Sequence, residues 1–185
     1  NSPFGTKETI KDSMRVFSAM YDVIAYRGKE HSQLVEMTKD CTIPIINGYT
    51  MHEHPTQMLA DFMTLDEVYG REGYKGKTFV YIGRGGACCA FSYAVACAMF
   101  GMNFKFITSF MSLEEAVSLL TREEQERFYS EVPRGSQVDG WSGAMPEDQK
   151  KFIRELYAKY NPQCTFTETE DIDEIKGADV VSTEN

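Results

Sequence analysis

The run His52-Glu53-His54-Pro55-Thr56-Gln57 concentrates residues that could do chemistry. Proline is favoured at the first position of a helix, where its missing N–H costs nothing, so Pro55 fixes His54 at a helix mouth. Gln57 lies three residues on and falls on the same face, which lets imidazole and carboxamide converge on one small group. The helix dipole at that end favours an oxygen gaining negative charge. His54 could donate to a polarised carbonyl while Gln57 accepts from an adjacent NH2, a pattern that suits an amide-like or carbamoyl substrate. A histidine that merely caps the helix explains the same residues as well. Arg27, just past a short apolar run, adds a fixed cation suited to phosphate or carboxylate.

Other combinations carry less. Gly83-Arg84-Gly85-Gly86-Ala87-Cys88 follows an apolar run and invites a dinucleotide reading. Cys88 stands where the fingerprint wants a glycine, and no acidic residue ends the next strand to hold a ribose. Backbone N–H groups at the following helix start still suit an anion. Cys88 and Cys89 could be a reactive thiol pair, but with no histidine beside them and no C-x-x-C spacing they read better as small packing residues. His52 and His54 are two apart and no cysteine pair has metal-ligand spacing, so no zinc site is expected. His31 is expected on a solvated helix.

The elements that must position these residues alternate. Ile10, Met14, Phe17 and Tyr21 recur at helical spacing and predict a helix over 6–21, followed by a strand over 22–26 and a helix over 31–39. A strand over 43–46 is closed by Asn47-Gly48, and the helix opened by Pro55 turns Met58, Leu59, Phe62, Leu65 and Tyr69 inward. Gly70, Gly73 and Gly76 mark the best candidate domain boundary. Beyond it come a strand over 77–82, a tight glycine turn, a small-residue helix over 90–100 and a strand over 103–108. Ser112 with Glu115 and Thr121 with Glu124 form capping boxes. A Gly- and Ser-rich loop over 133–143 precedes a helix over 146–160, with Phe152, Leu156 and Tyr160 inward, and strands over 165–167 and 179–182. Such alternation predicts an α/β fold of parallel sheets covered by helices.

Composition narrows the function classes. The 185 residues are 42% hydrophobic, enough for a real core, while charged residues interrupt every apolar run before the roughly 18 residues a membrane helix needs. The start shows no basic-then-apolar leader, and the five cysteines are odd in number with two adjacent, so a reducing, cytoplasmic setting is expected. A net charge of −9 argues against nucleic acid as a partner. Residues 1–100 are near neutrality, with 10 Lys+Arg against 11 Asp+Glu, whereas residues 101–185 carry 9 against 17. An anionic small-molecule site is therefore sought in the first hundred residues. The chain starts at Asn1-Ser2-Pro3 and stops at Asn185 just after a strand-like run, and it is expected to be a fragment, inactive alone.

Three segments resemble the aspartate and ornithine carbamoyltransferases. Gly5-Thr6-Lys7-Glu8-Thr9 through Val16, then Met20-Tyr21-Asp22 through Arg27-Gly28, are similar to the middle of that family's first domain, in ornithine-type wording. Ile45-Ile46-Asn47-Gly48 with His54-Pro55-Thr56-Gln57-Met58-Leu59-Ala60-Asp61 resembles its H-P-x-Q signature, and Phe79 through Met102 the opening of its second domain. Gly177-Ala178-Asp179-Val180-Val181 resumes the likeness, while residues 110–175 are longer than the family stretch and match it weakly.

The resemblance implies a two-domain α/β protein, each domain a parallel sheet flanked by helices. Residues 1–72 would be the C-terminal part of a carbamoyl phosphate-binding domain and residues 73–185 an incomplete amino acid-binding domain, with sites between subunits of a homotrimer. It implies Arg27 and His54 on the carbonyl oxygen, Gln57 near the amino group, and Lys7 in a loop that reaches a neighbour's site in some members. It implies no metal or organic cofactor and no membrane partner. Several positions depart from the pattern: the S-T-R-T and H-C-L-P segments are absent, and Pro3 replaces a neighbour-reaching Gln. Cys88 stands where ornithine enzymes commonly place an Asn that holds the acceptor's carboxylate, and Glu184 replaces the Asp that binds its amine. Carbamoyl transfer to ornithine is the leading expectation. A catalytically silent paralogue with a binding or assembly role, or an enzyme for another amine, is the alternative.

Overall fold

The computed structural model describes residues 8–108, 117–131 and 143–183. Helix α1 (Ile10–Met20) starts at Thr9, whose hydroxyl accepts from the Asp12 N–H at 3.1 Å, so the cap sets the start later than apolar periodicity suggests. Strand β1 (Ile24–Arg27), helix α2 (His31–Met37) and strand β2 (Ile45–Tyr49) form a unit in which the two strands pair in parallel. Asn47-Gly48, expected to close β2, lies inside it. The register shifts between Tyr26 and Arg27, and a Cβ on Gly48 would stand 3.0 Å from the Tyr26 carbonyl oxygen, so the glycine lets the strand bulge and continue. The bulge brings Tyr49 opposite Arg27.

Helix α3 (Pro55–Tyr69) buries Met58, Phe62 and Leu65. Leu59, expected inward, is 52% exposed, because the buried stripe runs along the 58, 62, 65 line. Phe62 packs on Tyr74 and on Phe100, at ring separations of 5.1 and 4.6 Å, which docks α3 against the following elements.

Those elements are β3 (Thr78–Ile82), α4 (Cys88–Phe100), β4 (Asn103–Ile107), α5 (Arg122–Glu131), α6 (Glu147–Tyr160), β5 (Phe166–Thr169), a 3-10 turn over Ile172–Ile175, and β6 (Val180–Thr183). The four strands form one parallel sheet in the order β5-β4-β3-β6. Helices flank both parallel sheets, as the sequence pattern predicts. Asp179 pins β6 in register: its carboxylate accepts from the Thr78 N–H at 2.9 Å and the Lys77 ammonium at 3.2 Å, which together hold its pKa below the usual value. The small residues of α4 let it sink almost completely into the core. Gly85 is a tight turn position, since a Cβ there would lie 2.2 Å from the Ala144 backbone.

On α6 the inward residues are Lys150, Ile153 and Tyr157, whereas Phe152 and Tyr160, expected inward, are 46% and 48% exposed. Two polar anchors turn the helix. The Tyr157 hydroxyl donates to the Met102 carbonyl at 2.9 Å, and the Lys150 ammonium meets Glu168 on β5 at 2.5 Å. Of the two expected capping boxes, Ser112 and Glu115 lie outside the described residues. Thr121 with Glu124 forms as expected, the backbone N–H of each meeting the other's side chain at 2.8 and 3.4 Å. No helix among the described residues is long and apolar enough to cross a membrane.

Candidate functional site

Local sequence places His54 at the N-cap of α3 with Pro55 at the first helical position. Its backbone is tied down twice over. Thr56 donates to the Gly48 carbonyl at 3.0 Å, holding the helix start to β2, and the His54 N–H donates to the Ser92 hydroxyl of α4 at 2.8 Å. Ser92 in turn donates to the Cys88 carbonyl at 2.7 Å, linking His54 to the first turn of α4.

The imidazole itself accepts from the Gln57 backbone N–H through Nδ1, at 3.4 Å. An accepting Nδ1 leaves the proton of a neutral ring on Nε2, so the cap and a free donor coexist in one side chain. Burial, seconded by the nearby Arg27 charge, lowers the His54 pKa and favours this neutral form; its own backbone and Asp61 oppose the shift without reversing it. Arg27 does not line the cleft beside His54. Its guanidinium lies over the Tyr49 ring at 4.4 Å, and that ring meets the His54 ring edge-on at 5.2 Å, so the cation and the imidazole flank one aromatic side chain.

Gln57 lies three residues after His54, on the same side of the helix start. Its Nε2 donates to Asp61 Oδ1 at 3.1 Å, an i to i+4 pair. A carboxylate can only accept, so the Gln57 amide turns its NH2 inward along the helix and has Oε1 left as an acceptor. His54, Gln57 and Asp61 line one wall of a cleft of about 530 Å³, which Tyr81, Cys89, Tyr93 and the β6 residues Val180–Thr183 close from the other side.

The structure thus brings His54 and Gln57 together and sets Arg27 one ring away. Cys88 is buried at the start of α4 and does not line the cleft, whereas its neighbour Cys89 does. Lys7 and Glu184 lie outside the described residues. His31, expected on a solvated face, instead bonds Thr50 at 3.1 Å and lies tilted against the His52 ring at 4.9 Å, because the loop before α3 folds back over α2. Among the described residues no group of three or more His, Cys, Asp or Glu side chains could hold a metal ion. Asp61, Tyr93, Ser92 and Tyr49 were given no role by the sequence reading. The i+4 spacing from Gln57 could have singled out Asp61, but nothing local marks the others.

Comparison with known proteins finds similarity to carbamoyltransferases. Residues 2–67 match the family described as aspartate/ornithine carbamoyltransferase, carbamoyl-P binding domain. The catabolic ornithine carbamoyltransferase of Mycoplasma capricolum subsp. capripneumoniae is 43% identical over 103 residues, covering 56% of this chain and 32% of its own length. Ornithine carbamoyltransferase from Pyrococcus furiosus superposes with a TM-score of 0.70 at 28% identity, over 95% of this chain and 45% of that one. The fold is shared with aspartate transcarbamoylase of Trypanosoma cruzi, at TM-score 0.68 and 20% identity, over 98% of this chain and 49% of the other. The chain spans about a third of the length of the curated relative and about half of the solved chains.

Proposed function

We propose that this relative of the aspartate/ornithine carbamoyltransferases binds carbamoyl phosphate and passes its carbamoyl group to the δ-amine of ornithine, giving citrulline and phosphate. The observation that carries the reading is the pairing of one outward donor with one outward acceptor at the start of α3. His54 caps through Nδ1 and keeps Nε2–H, while Gln57 gives its NH2 to Asp61 and keeps Oε1. A carbamoyl group presents the complement, a carbonyl oxygen beside an NH2.

In this reading the amine nitrogen attacks the carbonyl carbon and the C–O bond to phosphate breaks. The amine's proton leaves with the phosphate. Charge gathers on the carbonyl oxygen during attack, where the Nε2–H of His54 stabilises it directly and the Arg27 guanidinium adds its positive field from across the Tyr49 ring. Residues 1–72 serve the carbamoyl phosphate half and residues 73–185 the acceptor half. Asp61 is the charged residue among the described lining side chains, which supports a cationic amine over a dicarboxylate such as aspartate. Glu184 adds to that charge, and the first-turn N–H groups of α4, which no side chain caps, suit the acceptor's carboxylate in place of Cys88. Lys7 completes a neighbour's site in a cytoplasmic homotrimer.

A catalytically silent paralogue is the second reading, favoured by the burial of Cys88 at a position where an acceptor-binding amide is expected. Calorimetric titration with carbamoyl phosphate and a citrulline assay on the whole protein separate the two. Binding with turnover supports the enzyme, binding without turnover the silent paralogue, and no binding refutes the enzyme.

A further inference from the structure

Tyr93 belongs to α4, yet its hydroxyl reaches α3 and donates to Asp61 Oδ2 at 2.5 Å. Its ring is buried beside Phe79 and Tyr81, at centroid separations of 4.7 and 5.4 Å, so the hydroxyl has little freedom to turn away. Ser182 on β6 donates to the same phenol oxygen at 3.2 Å, which commits the single phenol proton to Asp61. Burial, reinforced by the bond to Asp61 and only partly offset by the one from Ser182, raises the Tyr93 pKa well above the ordinary phenol range and keeps it a donor. With Oδ2 engaged, Asp61 offers Oδ1 to Gln57 Nε2 at 3.1 Å. Ser182 donates to Tyr93, and Tyr93 and Gln57 both donate to Asp61, so the bonds converge on one carboxylate that can only accept, and that fixes which way the Gln57 amide points.

We propose that Tyr93 and Asp61 are positioning residues that lock the Gln57 carboxamide with its oxygen outward, so that the cleft selects a carbonyl compound bearing N–H on the carbonyl carbon over one bearing C–H. The selectivity half rests on the carbamoyl reading above; the positioning half stands on the hydrogen bonds alone. An unlocked amide can flip and offer NH2 instead, which removes the preference.

The test uses the 185-residue chain with 15N in its glutamine side chains. In the unsubstituted chain one Gln57 amide proton should be shifted downfield and exchange at least tenfold more slowly than those of exposed Gln163. Tyr93→Phe should reduce that protection and Asp61→Asn should abolish it, with Gln33 and Gln149 signals unmoved as a control on folding. A Gln57 amide that exchanges like Gln163, or ignores both substitutions, overturns the positioning. Dissociation constants for carbamoyl phosphate and acetyl phosphate, measured on the whole protein, provide the second arm. Tyr93→Phe should cut their ratio by about tenfold, the effect of losing one oriented hydrogen bond. An unchanged ratio in a chain that binds carbamoyl phosphate overturns the selectivity. Absence of carbamoyl phosphate binding by the unsubstituted whole protein refutes the functional reading and the selectivity with it, and leaves the amide exchange to decide the positioning.

Discussion

Replacing His54 by Asn separates the two tasks that its two nitrogens perform. The cap bond from the Gln57 N–H to Nδ1 is long, at 3.4 Å, so its loss should cost only about 0.5–1 kcal/mol of stability. The Nε2–H donor is worth far more where charge develops, roughly 10²–10³ in kcat, or about 2.7–4 kcal/mol of transition-state stabilisation. His54→Ala loses both. Asn is itself a strong N-cap, so His54→Asn should keep stability within about 0.5 kcal/mol of the parent while reaching no donor to the Nε2 position. Urea melts of the chain, set beside citrulline formation by the whole protein, give the two numbers. Transfer that drops about 10²–10³ in both variants while only His54→Ala melts early supports the account. A near-parental rate in His54→Asn would reduce the histidine to a cap. A loss of several kcal/mol in His54→Ala would make it a structural residue whose rate effect says nothing of chemistry.

The remaining expectations are narrower. Because the folded His54 pKa is lowered while the unfolded one is near 6.5, the unfolded chain takes up that proton first as pH falls. Stability should therefore decline from about pH 6.5 downward until the folded imidazole also protonates, and His54→Asn should remove that increment in melts run across pH 5–7. Burial works against the Lys150 charge, but its bonds to Glu168 and Glu147 outweigh burial and raise its pKa. Lys150→Met should then cost about 3–5 kcal/mol by leaving the Glu168 carboxylate buried without its cation, and adding Glu168→Gln should recover part of the loss in a denaturant titration. Gly85→Ala should destabilise the chain by several kcal/mol or prevent folding, since the new methyl would stand 2.2 Å from backbone; a melt unchanged from the parent would contradict the packing of the β3–α4 turn.

What could be read in the sequence was what chain neighbours determine. His54 and Gln57 lie three residues apart at a helix start that Pro55 marks, so their common face follows from helix geometry alone. Alternating apolar runs likewise sufficed for the parallel α/β plan. Asn47-Gly48 misled because a turn dipeptide was used as a bulge, which only the partner strand β1 decides. The α6 face was off by one residue because polar anchors at Lys150 and Tyr157, which periodicity scores as neutral, set the rotation. The Tyr93 bond to Asp61 joins residues 32 apart and the Ser182 bond to Tyr93 joins residues 89 apart. Those contacts exist because β6 pairs beside β3 next to α4, a strand order that no local pattern encodes.

The central claim is that the start of α3 presents one donor and one acceptor to a carbamoyl group, and the tautomer of His54 tests it most directly. Long-range 15N–1H correlation spectra of the chain at neutral pH should show His54 as the neutral Nε2–H tautomer, with Nδ1 in the hydrogen-bonded acceptor range. In the whole protein, carbamoyl phosphate should then shift both that Nε2 resonance and the Gln57 side-chain amide. A His54 ring that carries its proton on Nδ1, or resonances of both residues that stay put at saturating carbamoyl phosphate, would contradict the account.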